Sequence, residues 1–98
     1  MKLFLDDERM PPSSEWIIAR TAKAAIKLLK TGKVTHISLD HDLGDTVIGN
    51  GYTVARYIER EAFLCQIPPI AWSIHSQNPV GAEKMRMTMR AADRYWQV

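Results

Sequence analysis

Four short apolar runs, separated by stretches of helical periodicity, constrain the fold more than any other feature of this sequence. The runs Lys2–Asp6, Trp16–Ala19, His36–Asp40 and Ile70–His75 have the length and composition of β-strands. Helical patterns follow the second, third and fourth runs, so the predicted order is β-β-α-β-α-β-α. Strands that alternate with helices predict an open α/β fold with a parallel sheet and right-handed crossovers.

Residues typical of helix ends mark the predicted helices. Thr21 can cap the first helix, and Gly32 is placed to stop it. The second helix is predicted to start near Tyr52 and to end at Pro68-Pro69. Asn78-Pro79 predicts the start of the third helix, with asparagine as the cap and proline at the first helical position.

The connection between the first two strands is unusually short. Residues 7–15 contain two prolines and are too few for a helical crossover, which needs a dozen or more residues. Either a loop makes this crossover or the second strand is antiparallel, and we favour the loop.

Composition indicates a soluble, cytoplasmic protein. We expect residues 1–98 to form a single domain, with 46% hydrophobic and 24% charged residues. A net charge of +2 does not by itself indicate a nucleic-acid partner. The sequence has neither an apolar stretch long enough to cross a membrane nor a secretion signal. The lone cysteine, Cys65, excludes an intramolecular disulfide and a cysteine zinc cluster, and we expect a buried, inert thiol.

Polar residues follow three of the apolar runs. Asp6-Asp7 follows the first, Asp40-His41-Asp42 the third and His75-Ser76 the fourth. Parallel strands bring these endings to one edge of the sheet, which is where open α/β sheets bind ligands. Clustered carboxylates repel one another unless a cation or proton lies between them. This spacing predicts a divalent metal and, through it, a phosphate.

Mg²⁺ is the first metal that these acids suggest, because it prefers carboxylates, waters and phosphate oxygens. His41 and His75 could act as acid and base, or add nitrogen ligands that make Mn²⁺ a rival. The alternatives without a functional role are a solvated turn at residues 7–9, a loop cap at Asp40 and an exposed loop histidine at His41.

Ser76, Asn78 and Gly81 lead into a predicted helix N-terminus, where free N–H groups and the helix dipole favour an anion. Asn78 could equally serve as a cap alone. Arg9 could clamp a phosphate or pair with a neighbouring acid. The arginines at positions 86, 90 and 94 lie on one helix face, which is either solvated or a contact for a nucleic-acid backbone.

Together, these motifs resemble one family. The opening Leu3–Arg9 with Pro11-Pro12 resembles the first strand and acidic pair of receiver domains. Ser38–Asp45, Gly51-Tyr52 and His75–Gly81 are similar to the cyclic-phosphate-processing receiver domain family, and the similarity covers nearly the whole chain.

The resemblance implies a reduced receiver or flavodoxin-like fold: an open three-layer sheet in the order 2-1-3-4, without the first helix and the fifth strand. It also implies a metal-dependent activity on cyclic phosphates. The implied metal ligands are Asp6, Asp7 and Asp40, with Asp42 as a further candidate. The implied reaction centre contains His41, Asp42, His75, Ser76 and Asn78. The loop 46–50 is longer and more apolar than the family pattern. We expect this difference to change the shape of the entrance to the substrate site.

Three functions follow as hypotheses. The first is a phosphoesterase that uses Mg²⁺ or Mn²⁺ to act on a cyclic phosphate of a nucleotide or RNA end, with Asp40 as ligand or nucleophile. The second is a binding protein that sequesters such a nucleotide. The third, less favoured because the receiver lysine is missing, is a phosphoacceptor domain. The expected partner is a phosphorylated nucleotide or RNA end rather than DNA or a membrane, and the expected state is a monomer or small homo-oligomer.

Overall fold

A four-stranded parallel sheet organises the chain. The computed structural model describes residues 1–44 and 49–97. The strands are β1 (Lys2–Leu5), β2 (Trp16–Ala19), β3 (His36–Leu39) and β4 (Ala71–Ile74), in the order β2-β1-β3-β4. This order confirms the predicted one, and the parallel pairing of β1 with β2 confirms that a loop makes the short crossover. Residues 45–48 of the motif and its loop lie outside the described residues.

Three helices alternate with these strands, namely α1 (Ala22–Leu29), α2 (Gly51–Phe63) and α3 (Pro79–Trp96). Both predicted caps are confirmed: Thr21 Oγ1 accepts the Ala24 N–H at 3.1 Å, and Asn78 Oδ1 accepts the Gly81 N–H at 3.0 Å. Within the described residues, every helix is too short or too polar to span a bilayer.

The end of α2 differs from the prediction. The helix stops at Phe63, before the two prolines, because Cys65 adopts a left-handed conformation with φ 57°. The Cys65 N–H donates to the Ala62 carbonyl at 3.1 Å and the Gln66 N–H to the Glu61 carbonyl at 2.9 Å, the pattern of a Schellman end. This turn directs Cys65 outward, so the predicted buried thiol is wrong and the thiol is exposed.

A single core lies between the helices and one face of the sheet. Leu3, Leu5, Ile37 and Leu39 project from this face and are at most 1% exposed. They pack with buried residues of all three helices, and α2 contacts both α1 and α3. In the described part of the chain the helices therefore form one layer, so the molecule has two layers rather than the three predicted.

Chain direction explains the two layers. The connections from β2 to β3 and from β3 to β4 both advance the same way across the sheet. Right-handed crossovers in one direction place their helices on the same face. The opposite face would be covered by a helix between β1 and β2, where this chain has the loop 6–15.

Candidate metal and phosphate site

Three polar residues form one row across the sheet, directly after the ends of three strands. The Asp40 N–H donates to the Leu5 carbonyl and the His75 N–H to the Leu39 carbonyl, both at 3.0 Å. The strand register therefore continues one residue past β1, β3 and β4, and places Asp6, Asp40 and His75 side by side. Because side chains alternate along a strand, all three project from the face opposite the helices. We call this set the acidic row.

The side chains of the acidic row converge. His75 Nε2 lies 2.9 Å from Asp6 Oδ2, and one potential ligand atom from each of Asp6, Asp40 and His75 lies within 4.8 Å of the others. Asp6 is 1% exposed and Asp40 is 9% exposed. Two carboxylates and an imidazole held so closely in a buried place suit a divalent cation.

Two residues that the sequence did not single out hold His75 in place. The Phe4 ring stacks on the imidazole with centroids 4.5 Å apart and planes 7° apart, and Ser38 Oγ lies 2.7 Å from Nδ1. Phe4 and Ser38 precede Asp6 and Asp40 by two residues, so strand alternation places them on the same face. This spacing of two residues is the sequence signal that could have identified Phe4 and Ser38. Because the Ser38 side chain is small, the His75 ring has room to extend across β3 toward β1.

The Asp6 carboxylate is satisfied by the backbone. Its Oδ1 accepts the N–H groups of Glu8 and Arg9, each at 2.8 Å. Burial raises the pKa of Asp6, but the two backbone donors and the His75 ring outweigh it and leave the pKa below its ordinary value. Asp6 is therefore ionised at neutral pH, and His75 donates its Nε2–H to Asp6.

Asp40 has the opposite electrostatic environment. Burial and the negative charge of Asp6, with a smaller contribution from Asp7, raise the pKa of Asp40 despite the opposing effect of His75. The ionised row thus contains more negative charge than the surrounding protein compensates. A bound cation would relieve this repulsion, so the acidic row is a cluster that could hold a metal.

A second histidine–carboxylate pair lies on the loop after β3. His41 Nδ1 is 2.8 Å from Asp42 Oδ1, and Asn78 Nδ2 donates to the same oxygen at 3.4 Å. The His41 hydrogen bond is the main cause of the lowered pKa of Asp42. The His41 ring packs so closely on Gly81 that a Cβ at Gly81 would overlap it. The N-terminus of α3 therefore positions this pair.

The two remaining candidate ligands lie beside the acidic row rather than within it. Asp42 pairs with His41, and Asp7 Oδ2 is 3.2 Å from the position of a Cβ at Gly44. Among the described residues, the close group of possible ligands is Asp6, Asp40 and His75. Asp7 acts on this group through its charge, which raises the pKa of Asp40.

The predicted phosphate-binding residues have protein partners of their own. Arg9 Nη1 donates to the His75 carbonyl at 3.3 Å, which places an exposed guanidinium at the rim of the acidic row. Ser76 Oγ accepts the Asn78 N–H at 3.1 Å, and the Gly81 N–H is taken by the Asn78 cap. A phosphate that bound the Gly81 N–H would have to replace the cap.

Arg20, which the sequence reasoning missed, fixes the loop that carries Asp6 and Arg9. Its Nη1 donates to the carbonyls of Asp6 at 3.1 Å and of Arg9 at 2.8 Å. Its position directly after β2, opposite the end of β1, is a signal that could have identified it. Arg20 thus restrains this loop in a connection that contains no helix.

Comparison with known proteins gives one match. A family model described as the cyclic-phosphate processing receiver domain matches residues 1–91, which is nearly the whole chain. No match was found among curated proteins or among solved structures.

Proposed function

Because the chain belongs to the cyclic-phosphate processing receiver domain family, we propose that it is a metal-dependent phosphoesterase acting on a cyclic phosphate of a nucleotide or RNA end. The observation that carries this proposal is the acidic row, with two buried carboxylates and an imidazole within 4.8 Å of one another. Family membership supports the substrate class, and the acidic row supports the proposed chemistry.

Asp6, Asp40 and His75 would hold the cation, with His75 in the tautomer that carries its proton on Nδ1, facing Ser38 Oγ, and offers the lone pair of Nε2. Their donor set fits Mg²⁺, and the imidazole nitrogen shifts the preference toward Mn²⁺. When bound, the cation polarises a phosphoryl oxygen and lowers the pKa of a bound water.

Residues around the row would bind the phosphate and move protons. Arg9 presents a guanidinium at the rim and can donate to two phosphate oxygens. His41 donates Nδ1–H to Asp42, which leaves Nε2 free of the proton and suited to act as a base. Water adds to phosphorus, one ester bond of the ring breaks, and the departing ribose oxygen takes up a proton.

The direct test is hydrolysis of 2′,3′-cyclic and 3′,5′-cyclic nucleotides, and of linear phosphomonoesters, with added Mg²⁺ or Mn²⁺. We expect His41→Gln to lower kcat by about 10²–10³-fold. His36→Gln is the matched control, because His36 is exposed at the opposite end of β3, and it should retain wild-type turnover. Absence of turnover across the whole panel with either metal contradicts the enzyme.

Metal binding is tested separately by electron paramagnetic resonance of Mn²⁺ titrated with protein. Asp40→Asn and His75→Gln should each weaken Mn²⁺ binding by at least about tenfold, as loss of one ligand does. Asp42→Asn should leave Mn²⁺ affinity close to wild type, because Asp42 pairs with His41. Equal losses for Asp40 and Asp42 would contradict the assignment of the ligands.

One observation favours the second candidate, a protein that sequesters a phosphorylated nucleotide. Both ring nitrogens of His75 are engaged, Nε2 by Asp6 and Nδ1 by Ser38, so this histidine is held rather than poised to exchange protons. Tight nucleotide binding in EDTA, with the ligand recovered intact, would favour sequestration. Metal-dependent loss of the cyclic ester would favour the enzyme.

A further inference from the structure

A groove between α1 and α2 lies outside the site described above. It consists of two adjoining hollows of about 390 and 400 Å³, both lined by Ile26 and Thr53. Because the two hollows share Ile26 and Thr53, the groove is continuous along the helix pair. Neither the acidic row nor the His41 pair lines it.

Positive charge is concentrated on the walls of this groove. Of the thirteen lysines and arginines in the chain, five line it, namely Lys23, Lys27, Lys30, Arg56 and Arg60. Glu59 is the one acid among its described lining residues. The groove thus has a net charge of +4 while the whole chain has +2, which leaves −2 for the rest. Such a concentration attracts a polyanion.

Tyrosines support the arginine wall. The Arg56 guanidinium lies 5.8 Å from the centroid of the Tyr52 ring, and that of Arg60 lies 5.8 Å from the Tyr57 ring. Arg60 also approaches Glu61 at 4.0 Å, at the limit of an ion pair. Cation–π contacts restrain a guanidinium without neutralising it, so the charge stays available to a ligand.

The spacing of the charges suits a linear ligand. Lys23, Lys27 and Lys30 follow one side of α1 at intervals of ~6 and ~4.5 Å, and Arg56 and Arg60 lie ~6 Å apart along α2. Two rows of cations on either side of a trough match the repeated charges of a single nucleic-acid strand. A lone phosphate needs one convergent cluster, and a flat membrane surface needs an exposed plane.

The groove also leads toward the proposed reaction site. Its upper end lies at Lys23 and Thr53, in the first turns of α1 and α2. Both helices begin at the carboxyl edge of the sheet, and Gly51 packs so closely on the Asp40 carbonyl that a Cβ would overlap it. A strand in the groove would therefore end at the carboxyl edge of the sheet, the same edge at which the acidic row lies on the opposite face.

We propose that the α1–α2 groove binds the phosphodiester backbone of single-stranded RNA. The choice of RNA rests on the proposed function, since a 2′,3′-cyclic phosphate requires the ribose 2′-hydroxyl. Binding along the groove does not depend on turnover at the acidic row. If both hold, the cyclic phosphate is carried by an RNA end rather than by a mononucleotide.

The experiment is fluorescence anisotropy with a twelve-nucleotide RNA that ends in an ordinary 3′-hydroxyl, so that no reaction is involved. The slope of log K against log salt should approach about −3.5, or −0.7 for each of five neutralised phosphates. The double variant Lys27→Gln, Arg56→Gln should reduce that slope by about 1.4. It should weaken binding at low salt by at least about tenfold.

The matched control is the double variant Arg90→Gln, Arg94→Gln, which removes the same charge from exposed positions on α3. It should bind RNA with wild-type affinity and slope. All four substituted side chains are exposed, so thermal melting should show both variants folded. A larger loss for the α3 variant than for the groove variant overturns the proposal.

Other outcomes are equally decisive. Failure to bind RNA at 50 mM salt overturns the proposal, as does displacement by polyglutamate of matched length and concentration. Equal affinity for single-stranded DNA of the same sequence supports contacts to the phosphodiester backbone, and clearly tighter binding of DNA than of RNA overturns the assignment to RNA. Hydrolysis of cyclic mononucleotides without RNA binding contradicts the RNA-binding groove and leaves the proposed function intact. RNA binding without hydrolysis of any cyclic phosphate supports the groove and contradicts the proposed function.

Discussion

Two histidine–carboxylate pairs of nearly equal length lie in very different surroundings. His75 and Asp6 are 2.9 Å apart, and His41 and Asp42 are 2.8 Å apart. The Asp6 side chain is 1% exposed and accepts two backbone N–H groups, whereas the Asp42 side chain is 67% exposed. The difference lies in the carboxylates, since the two histidine side chains are similarly buried, with 20% exposed for His75 and 14% for His41.

Two contacts of nearly equal length can therefore contribute very differently to the free energy of unfolding. Removing one partner of a buried pair leaves uncompensated polar groups in a place that water cannot reach. Removing one partner of an exposed pair lets water take over. The Asp6 carboxylate therefore belongs to the fold, whereas the exposed Asp42 carboxylate contributes little to stability.

The largest expected effect is on the free energy of unfolding, which should fall much more when Asp6 is replaced than when Asp42 is replaced. Asp6→Ala should lower the free energy of unfolding by about 3 kcal/mol, because the Glu8 and Arg9 N–H groups and His75 lose their acceptor. Asp42→Ala should cost less than about 1 kcal/mol. Urea denaturation at neutral pH measures both, and similar costs for the two variants would break the comparison.

A smaller effect tests how the exposed pair is positioned. Gly81→Ala should displace the His41 ring, because the added methyl overlaps it. The net cost in stability is about 1 kcal/mol, since overpacking is partly offset by the higher helix propensity of alanine. Shifted His41 ring signals in NMR, with His75 signals unchanged, are the expected readout. Val80→Ala, at an exposed neighbouring position, should move neither histidine.

The two carboxylates of the acidic row should respond with opposite signs. Asp40→Asn should raise the free energy of unfolding in EDTA by about 1 kcal/mol, because the substitution removes a charge whose burial, and whose repulsion by Asp6, raise the pKa of Asp40. The same variant should lose Mn²⁺ binding. A destabilised Asp40→Asn protein would show that its negative charge is compensated within the protein.

The smallest expected effect is on pH dependence. The pKa of Asp6 is lowered, so its stabilising contribution is complete above the ordinary value of 3.8 and is lost as pH falls through the lower value of the folded state. The stability gap between wild type and Asp6→Asn should therefore narrow below pH 3.8. The part of the Asp40 shift that comes from burial is present in both proteins and cancels, and the part that comes from Asp6 acts above pH 3.8, outside this window. A gap that widens as pH falls below 3.8 would contradict the sign.

Most of the fold follows from local pattern. The four strands, the three helices and the caps at Thr21 and Asn78 are set by periodicity and by residues a few positions away. The end of α2 was misplaced because a non-glycine residue, Cys65, takes the left-handed position that usually signals a helix stop through glycine. The number of layers was misjudged because it depends on crossover direction, which no local pattern records.

The candidate site could be located from the sequence but not assembled. Polar residues after β1, β3 and β4 predict that acids and histidines meet at one edge. Which of them meet depends on the strand register, which selects Asp6, Asp40 and His75 and leaves Asp42 to His41. Phe4 and Ser38 were missed because their role is to position another residue's ring.

By itself, the sequence determined the order of strands and helices, the helix caps and the edge at which the chemistry lies. These features depend on neighbours within a few residues, whose spacing can be read along the chain. The pairing of His75 with Asp6 and the position of all three helices on one face of the sheet arise only from tertiary packing. Those outcomes join groups as far apart as residues 6 and 75, and depend on register, crossover direction and burial, which arise only when the strands pack together.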